Sequence, residues 1–414
     1  MEKQDHLPHR REQFRESRIL QEWYAANRRD LPWRNTRDPY LVWISEIILQ
    51  QTRVAQGLDY YIRFTGRFPD VRSLAAADRK ETLKYWQGLG YYSRARNLHE
   101  AAKDIQSRFG GVFPEQYDDI LSLKGIGEYT AAAIASFVWN QPRPVIDGNV
   151  YRVLGRLFGV ATPVDTGKGK KEYRELAALL MPPGQARPHN QAIMEFGALQ
   201  CVPQNPDCSR CPLSAGCLAH ASGNPQQYPV KQNRTKSRNR YLHYFFITCG
   251  SHTYLHHRTE KDIWQGLYEF PLIETDAPAN PETDGAPANP ETDGAPADPE
   301  TDGAPADPET DGAPANPETD GAPADFLRHL DDLFRDAGQP AISVEMRNIK
   351  HILSHQTLYA TFYRAEIQKE NVALKKYLKI PLSALDEYPF PKLISAFLSR
   401  EEKTAGHVTD GKPA

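Results

Sequence analysis

Four of the chain's five cysteines, Cys201, Cys208, Cys211 and Cys217, fall in one short stretch with the spacing Cys-x6-Cys-x2-Cys-x5-Cys. Pro203, Pro206 and Pro212 lie among them, so the stretch reads as a loop. Four gathered thiolates suit either a tetrahedral zinc ion or a cubane iron–sulphur cluster. A zinc ribbon more naturally shows two Cys-x2-Cys knuckles held apart, and here only Cys208 and Cys211 are so paired. The spacing therefore favours the cluster and leaves zinc open. In a reducing compartment such a pattern argues for metal binding over a disulfide framework, and Cys249 reads as an ordinary buried thiol.

Two carboxylic acids stand out for their surroundings. Glu46 lies in DPYLVWISEIILQQT, where Asp38 can cap a helix, Pro39 suits its first turn, and the rest is almost wholly apolar. Its neighbours three and four residues away are Val42, Trp43, Leu49 and Gln50. A carboxyl on such a face loses hydration, which raises its pKa and suits a general acid. The alternative is a Glu at a helix edge facing water. Asp147 follows Val145-Ile146, just ahead of a helix beginning near Asn149. Helix capping explains an Asp there in isolation. If both acids face one pocket, Glu46 can protonate a leaving group while Asp147, kept ionised by helix N-terminal amides, stabilises a cationic sugar.

The segment LSLKGIGEYTAAAIASF joins an apolar helix end to a new helix through Lys124-Gly125-Ile126-Gly127. Gly125 and Gly127 let backbone amides point outward together at a helix N-terminus, which makes a phosphate site of helix-hairpin-helix shape. A plain tight turn is the competing reading. Residues 12–222 as a whole read as helix after helix, with Asp38-Pro39, Gly88 to Tyr92, and Gly110-Gly111 with Pro114 as punctuation. Residues 223–240 are polar and basic without periodicity, as in a linker. Residues 241–400 read as an α+β domain, with strands at Tyr241–Thr248, Thr253–His256 and Leu358–Ile367. A flexible tail, 401–414, follows.

Charge is unevenly spread. Residues 1–240 hold 35 Lys and Arg against 24 Asp and Glu, whereas 275–325 hold 14 acidic side chains and no basic one. The basic part suits a polyanionic partner. The acidic part contains a nine-residue repeat, APANPETDG or APADPETDG, running five times from Ala277 to Gly321. Without large apolar side chains it is expected to be disordered. No run of about 18 apolar residues and no apolar N-terminal stretch is present. A soluble, cytoplasmic monomer with no membrane association is expected.

Taken in order, SEIILQQT, GLGYYSRARNL, LKGIGEYTAAAI, IDGNVYRV and the four cysteines resemble the helix-hairpin-helix DNA glycosylases that carry a 4Fe–4S cluster. The resemblance covers 12–220 and implies one such cluster on Cys201, Cys208, Cys211 and Cys217, fixing a loop whose Arg210 meets phosphate. Endonuclease III-type members place a lysine nucleophile where this chain has Tyr129, and a phenol cannot form a Schiff base. The adenine glycosylase (MutY) branch is thereby favoured over an enzyme that nicks at oxidised pyrimidines. The branch implies that Glu46 protonates flipped adenine at N7 and Asp147 stabilises the oxocarbenium ion, supported by Tyr129 and Asn149. It also implies that Gln51 and Tyr91 wedge into the duplex, and that the partner is double-stranded DNA containing adenine opposite 8-oxoguanine or guanine, in a bacterial, nucleoid-associated setting.

The second domain resembles more loosely the Nudix-like C-terminal domain of that branch. IWQGLYEFP matches its Trp-x-Gly-Leu-Trp-Glu-Phe-Pro stretch with Tyr268 for Trp, and KHILSHQ matches its 8-oxoguanine-reading loop. Leu353 stands there for the usual Phe, while Ser354 and His355 retain hydrogen-bonding groups. DFLRHLDDLFRDAG lacks the acidic metal-binding helix of a Nudix hydrolase, so nucleotide hydrolysis is not expected. Lys124 replaces the usual hairpin proline. A third possibility is a DNA-binding iron–sulphur protein without chemistry, against which both acids speak.

Overall fold

The computed structural model describes residues 14–232, 238–277, 324–335, 337 and 340–407. The first thirteen residues, most of the acidic repeat (278–323) and the last seven lie outside the described residues. The chain divides into two compact units, Met1–Asp78 with Arg94–Arg234, and Arg79–Ser93 with Thr235–Ala414.

Among the described residues the first unit is helical throughout. Its helices are α1 (Arg15–Asn27), α2 (Pro39–Leu49), α3 (Val54–Arg67) and α4 (Val71–Ala76), then, after α5 (Arg79–Trp86) of the second unit, α6 (Ser93–Arg108). There follow α7 (Tyr117–Ser122), α8 (Glu128–Trp139), α9 (Gly148–Phe158), α10 (Gly167–Leu180), α11 (Ala186–Leu199) and the short α12 (Leu218–Ala221). The breaks fall where Gly and Pro predicted them. Asp38 caps α2, its side chain accepting from Tyr40 N at 2.8 Å. Eight consecutive-turn residues of α2, including Trp43, Ile44, Ile47 and Ile48, are buried, because a helix apolar all round must sit inside. α11 packs against α1, α8 and α9, and Tyr24, Val150, Leu154, Tyr173 and Phe196 share one core there.

The α9–α11 crossing is unusually close. A Cβ placed on Gly197 of α11 would lie 2.6 Å from Asn149 Cβ and 2.9 Å from its carbonyl oxygen. Only hydrogen fits, so glycine here sets where Asn149 sits.

The second unit is built on a mixed sheet of β1 (Arg238–Cys249), β2 (His252–His257), β3 (Tyr268–Glu269), β4 (Leu272–Thr275), β5 (Ile342–Leu353), β6 (Gln356–Glu366) and β7 (Leu378–Pro381). Its order is β3-β2-β1-β6-β5, with β4 on β1 and β7 on β2. β1 and β6 are parallel, Arg238 facing Gln356 through Thr248 facing Glu366, while β5 and β6 form an antiparallel hairpin. Both faces of β1 are buried, which accounts for its unbroken run LHYFFI. Helix α14 (Lys392–His407) covers the face of Tyr244, Phe246 and Phe362, with Phe397 stacked on Phe362 at 4.6 Å. Helix α13 (Ala324–Phe334) covers the face of Phe245 and Tyr363 through Phe326.

Three boundaries differ from those expected. Segment 79–93 groups with the second unit. The supposed linker 223–240 is not one stretch: Val164 N bonds Val230 O at 2.9 Å and Gln232 N bonds Asp165 at 3.0 Å, while Arg238 already opens β1. Helix α14 runs on to His407, inside the expected tail.

Gly197→Ala should lower stability by about 1–3 kcal/mol despite alanine's better helix propensity, and should slow any reaction that depends on Asn149. Thermal unfolding and single-turnover rates measured together would show both losses; a more stable variant would mean the crossing relaxes freely.

Candidate active site

Glu46 sits in the middle of buried α2 and is only 6% exposed. Tyr129, in the first turn of α8, donates from Oη to Glu46 Oε2 at 2.8 Å. Burial pushes the Glu46 carboxyl up from its ordinary 4.5 to about 7; the Tyr129 bond and the charge of Arg34 oppose that rise, and Asp147 adds to it. Tyr129 itself is pushed well above 10 by burial and by both carboxyls, so it remains a phenol and a donor.

Asp147 is the N-cap of α9. Its Oδ1 accepts from Val150 N at 2.8 Å, and its Oδ2 from Asn149 Nδ2 at 2.8 Å. Enclosure pushes its carboxyl up from the ordinary value, while Val150 N–H, Asn149 and the Arg152 charge favour the ionised form, and part of the residue reaches the surface. The structure thus brings Glu46, Tyr129, Asp147 and Asn149 into one field, as two coupled acids each with its own donors.

Gln51 follows α2 as an exposed residue in the left-handed region, φ +56. Arg94 holds that corner, donating from Nη1 to the carbonyls of Ile47 at 2.9 Å, Ile48 at 3.0 Å and, more closely still, Gln50. In the hairpin, Lys124, Gly125 and Gly127 are exposed and Ile126 is buried. Gly125 has φ +80, and a Cβ there would meet Asn97 Cβ at 2.6 Å. Within the turn Ile126 N donates to Leu123 O at 3.1 Å, and α8 begins directly after Gly127.

Cys201, Cys208, Cys211 and Cys217 line one small, partly open cavity together with Arg156, Gln200 and His220. Burial and the neighbouring thiols push Cys211 up to about 11, and Cys201 and Cys208 upward as well. Arg210 on this loop is 87% exposed and faces Asp207 at 3.7 Å. Among the described residues no group of three or more His, Cys, Asp or Glu side chains is arranged to hold a metal ion.

In the second unit, Ser354 and His355 are the exposed two-residue turn of the β5–β6 hairpin. Leu353, half-buried, packs against the core of Tyr244, Phe246 and Phe362, as do Trp264 and Met346. Tyr91 has φ +46, is 43% exposed, and shares a hydrogen bond between its hydroxyl and that of Ser354.

A family model described as "HhH-GPD superfamily base excision DNA repair protein" matches residues 44–183. The adenine DNA glycosylase of Buchnera aphidicola from Schizaphis graminum is 37% identical over 260 residues, covering 63% of this chain and 75% of that one. The chain belongs to the adenine DNA glycosylase family. The rat adenine DNA glycosylase is 41% identical over 212 residues, 49% of this chain and 41% of that one. A solved thermostable thymine-DNA glycosylase is 30% identical with a TM-score of 0.48, covering 51% of this chain and 98% of that one.

Four arginines that sequence reading passed over join the family's site. Arg34 is fixed by Glu195 at 2.6 Å and by Tyr24 Oη at 3.0 Å, and its charge reaches Glu46. Arg94 caps the end of α2. Arg152 donates to Asn149 Oδ1 at 2.7 Å, to Gly197 O at 2.6 Å and to Cys201 O at 2.7 Å. Arg156, 2% exposed, donates to Val202 O and Pro203 O at 2.7 Å and to Cys201 Sγ at 3.4 Å. The signal available was Asn149, Arg152 and Arg156 at helical spacing on one otherwise apolar helix.

Folded Glu46 holds its proton more tightly than the unfolded chain does, so its contribution to stability is complete below pH 4.5 and is lost as pH rises to about 7. Glu46→Gln should match the parent near pH 4 and exceed it at pH 8 by up to roughly 3 kcal/mol. Melting curves at the two pH values decide this; an equal difference at both would mean that Glu46 titrates as an exposed acid.

Proposed function

We propose that the protein excises adenine paired with 8-oxoguanine or guanine in duplex DNA, working as a monofunctional glycosylase that leaves an abasic site. As a member of its family it is an adenine DNA glycosylase, a hydrolase of base excision repair. The observation that carries the reading is the enclosed, high-pKa Glu46 bonded to Tyr129 beside the α9-capping Asp147.

The chemistry follows from those groups. Adenine leaves poorly as an anion, so the proton of Glu46 moves to N7 of the flipped base as the bond between N9 and the sugar C1′ breaks. The bonding electrons depart with adenine, and positive charge develops on the sugar. Asp147, ionised and fixed by Val150 N–H and Asn149, stabilises that charge until water adds at C1′ and passes its proton to the Glu46 carboxylate, which restores the acid. Tyr129 orients the Glu46 carboxyl and offers no amine for a sugar adduct. Gln51 and Tyr91, both on exposed left-handed corners, are suited to fill the space left by the extruded base. Lys124, Gly125 and Gly127, exposed just before the N-terminus of α8, suit phosphate. Ser354 and His355, at the tip of a hairpin in the Nudix-like unit, are assigned to reading the 8-oxoguanine.

The four cysteines fit a 4Fe–4S cluster: one open cavity, four thiols, and the buried Arg156 cation with an N–H toward Cys201 Sγ. Bound there, the cluster would supply a rigid cross-link of the loop that presents Arg210. Cys208→Ser should lower iron and sulphide content and weaken DNA binding or folding before it alters the single-turnover rate of protein that remains bound. A slowed bond-breaking step with intact binding would give the cluster a part in the chemistry.

Labelled duplexes containing adenine opposite 8-oxoguanine, or thymine glycol, test the assignment. Free adenine and an unnicked abasic strand are expected from the first, and no release from the second. Glu46→Gln should bind the mispair and release nothing. Thymine glycol release with spontaneous nicking would favour an endonuclease III-like enzyme.

A further inference from the structure

The Ser354–His355 turn is exposed, and two residues in that turn have little packing of their own. Besides the hydroxyl contact of Ser354 with Tyr91, the turn is held from its base. One contact is Arg240 on β1, whose side chain is 8% exposed. Nε donates to Glu274 Oε1 at 2.6 Å, and Nη2 to Glu274 Oε2 at 2.7 Å and Asp262 Oδ2 at 2.8 Å. Nη1 donates to Asp262 Oδ1 and to Gln356 Oε1, each at 3.0 Å. All five N–H groups of the guanidinium are thus used, and one of them holds the residue that follows His355. The backbone adds Arg238 N to His355 O at 3.2 Å.

The second contact comes from the loop that Asp262 begins. Arg258 binds Asp262 Oδ2 at 2.8 Å, the buried Glu269 at 2.8 and 2.7 Å, and Ile263 O at 3.1 Å. Within this pinned loop Trp264 is held at φ +61, a left-handed conformation that a bulky side chain rarely adopts. Its ring faces His351, three residues before Ser354, at 6.2 Å between centroids. A strained tryptophan maintained by a saturated ion-pair network, and aimed at the strand leading into the turn, points to a positional role.

We propose that Arg240 and Trp264 are positioning residues for lesion discrimination, clamping the base of the 354–355 turn so that its hydrogen-bonding groups stand preset for the base opposite adenine. This rests on the reading of Ser354 and His355 given above. Arg240, with all five N–H groups engaged, does not itself bind phosphate. The clamp acts through Gln356 and through the tilted contact of Trp264 with His351.

The test is the ratio of single-turnover excision rates for adenine opposite 8-oxoguanine and opposite guanine, using the full chain. Gln356→Leu removes only the acceptor that links Arg240 to the turn and leaves the Asp262 and Glu274 pairs in place. Trp264→Gly removes the ring while glycine accepts the positive φ. Each should lower the ratio about tenfold, the scale of one hydrogen-bonded arrangement. Gln356→Glu, which restores an acceptor, should recover it. A general loss of fold would lower both rates together and leave the ratio, so the ratio separates positioning from stability. The double variant Ser354→Ala, His355→Ala is the reference. If it loses discrimination while Gln356→Leu and Trp264→Gly keep the parent ratio, the clamp is overturned and the reading turn survives. If the double variant also keeps the ratio, the reading turn itself is wrong and the clamp falls with it.

Discussion

Enclosing an ionisable carboxyl in the interior of α2 is the constraint from which most of the first unit follows. An ionised, unpaired Glu46 among Trp43, Ile47 and Ile48 would cost several kcal/mol in lost hydration. The fold answers by keeping the carboxyl protonated near neutrality and giving it one donor, Tyr129, from α8. That phenol must arrive at the first turn of its helix, which fixes the hairpin before it and the left-handed glycine within it. Arg94 closes the far end of α2 by satisfying carbonyls that no further helical turn can reach. The acid and the exposed Gln51 corner are therefore held by one short, well-capped element.

Helix α9 carries the other half of the site. Its N-cap is Asp147, its first turn holds Asn149, and its next two turns hold Arg152 and Arg156 over the cysteine loop. Arg152 touches Asn149 and the Cys201 carbonyl at once. Order in the loop and orientation of the carboxylate are consequently set by the same helix, with Gly197 of α11 letting the backbones approach. This is a mechanical relation between loop and pocket that needs no electron transfer.

Much of this was legible in the sequence because the signals were local. Asp38-Pro39, the Gly-Ile-Gly corner and Asp147-Gly148 each name a cap or a turn, and the helices begin and end there. Strand β5 was not legible: shifts of register near Val344, Met346 and Ile349 break the alternation, and Glu345, Arg347, Asn348 and Lys350 resemble a loop. The arginines were missed for a different reason. Arg34, Arg94 and Arg240 act on carbonyls and carboxylates far away in the chain, and only the folded path shows which.

The division of labour between the two acids also depends on distant partners. Enclosure raises both carboxyls, so it cannot by itself make one the acid and the other the anion. Donors separate them. Asp147 receives Val150 N–H and Asn149 Nδ2 and lies in the field of Arg152, whereas the bond to Glu46 is the single phenol of Tyr129. The more richly donated carboxyl loses its proton first, and the charge it then carries holds the proton on its neighbour more firmly. A buried pair of like groups becomes an acid and a counter-charge because α9 presents its N-terminus to one of them and α8 presents only a hydroxyl to the other.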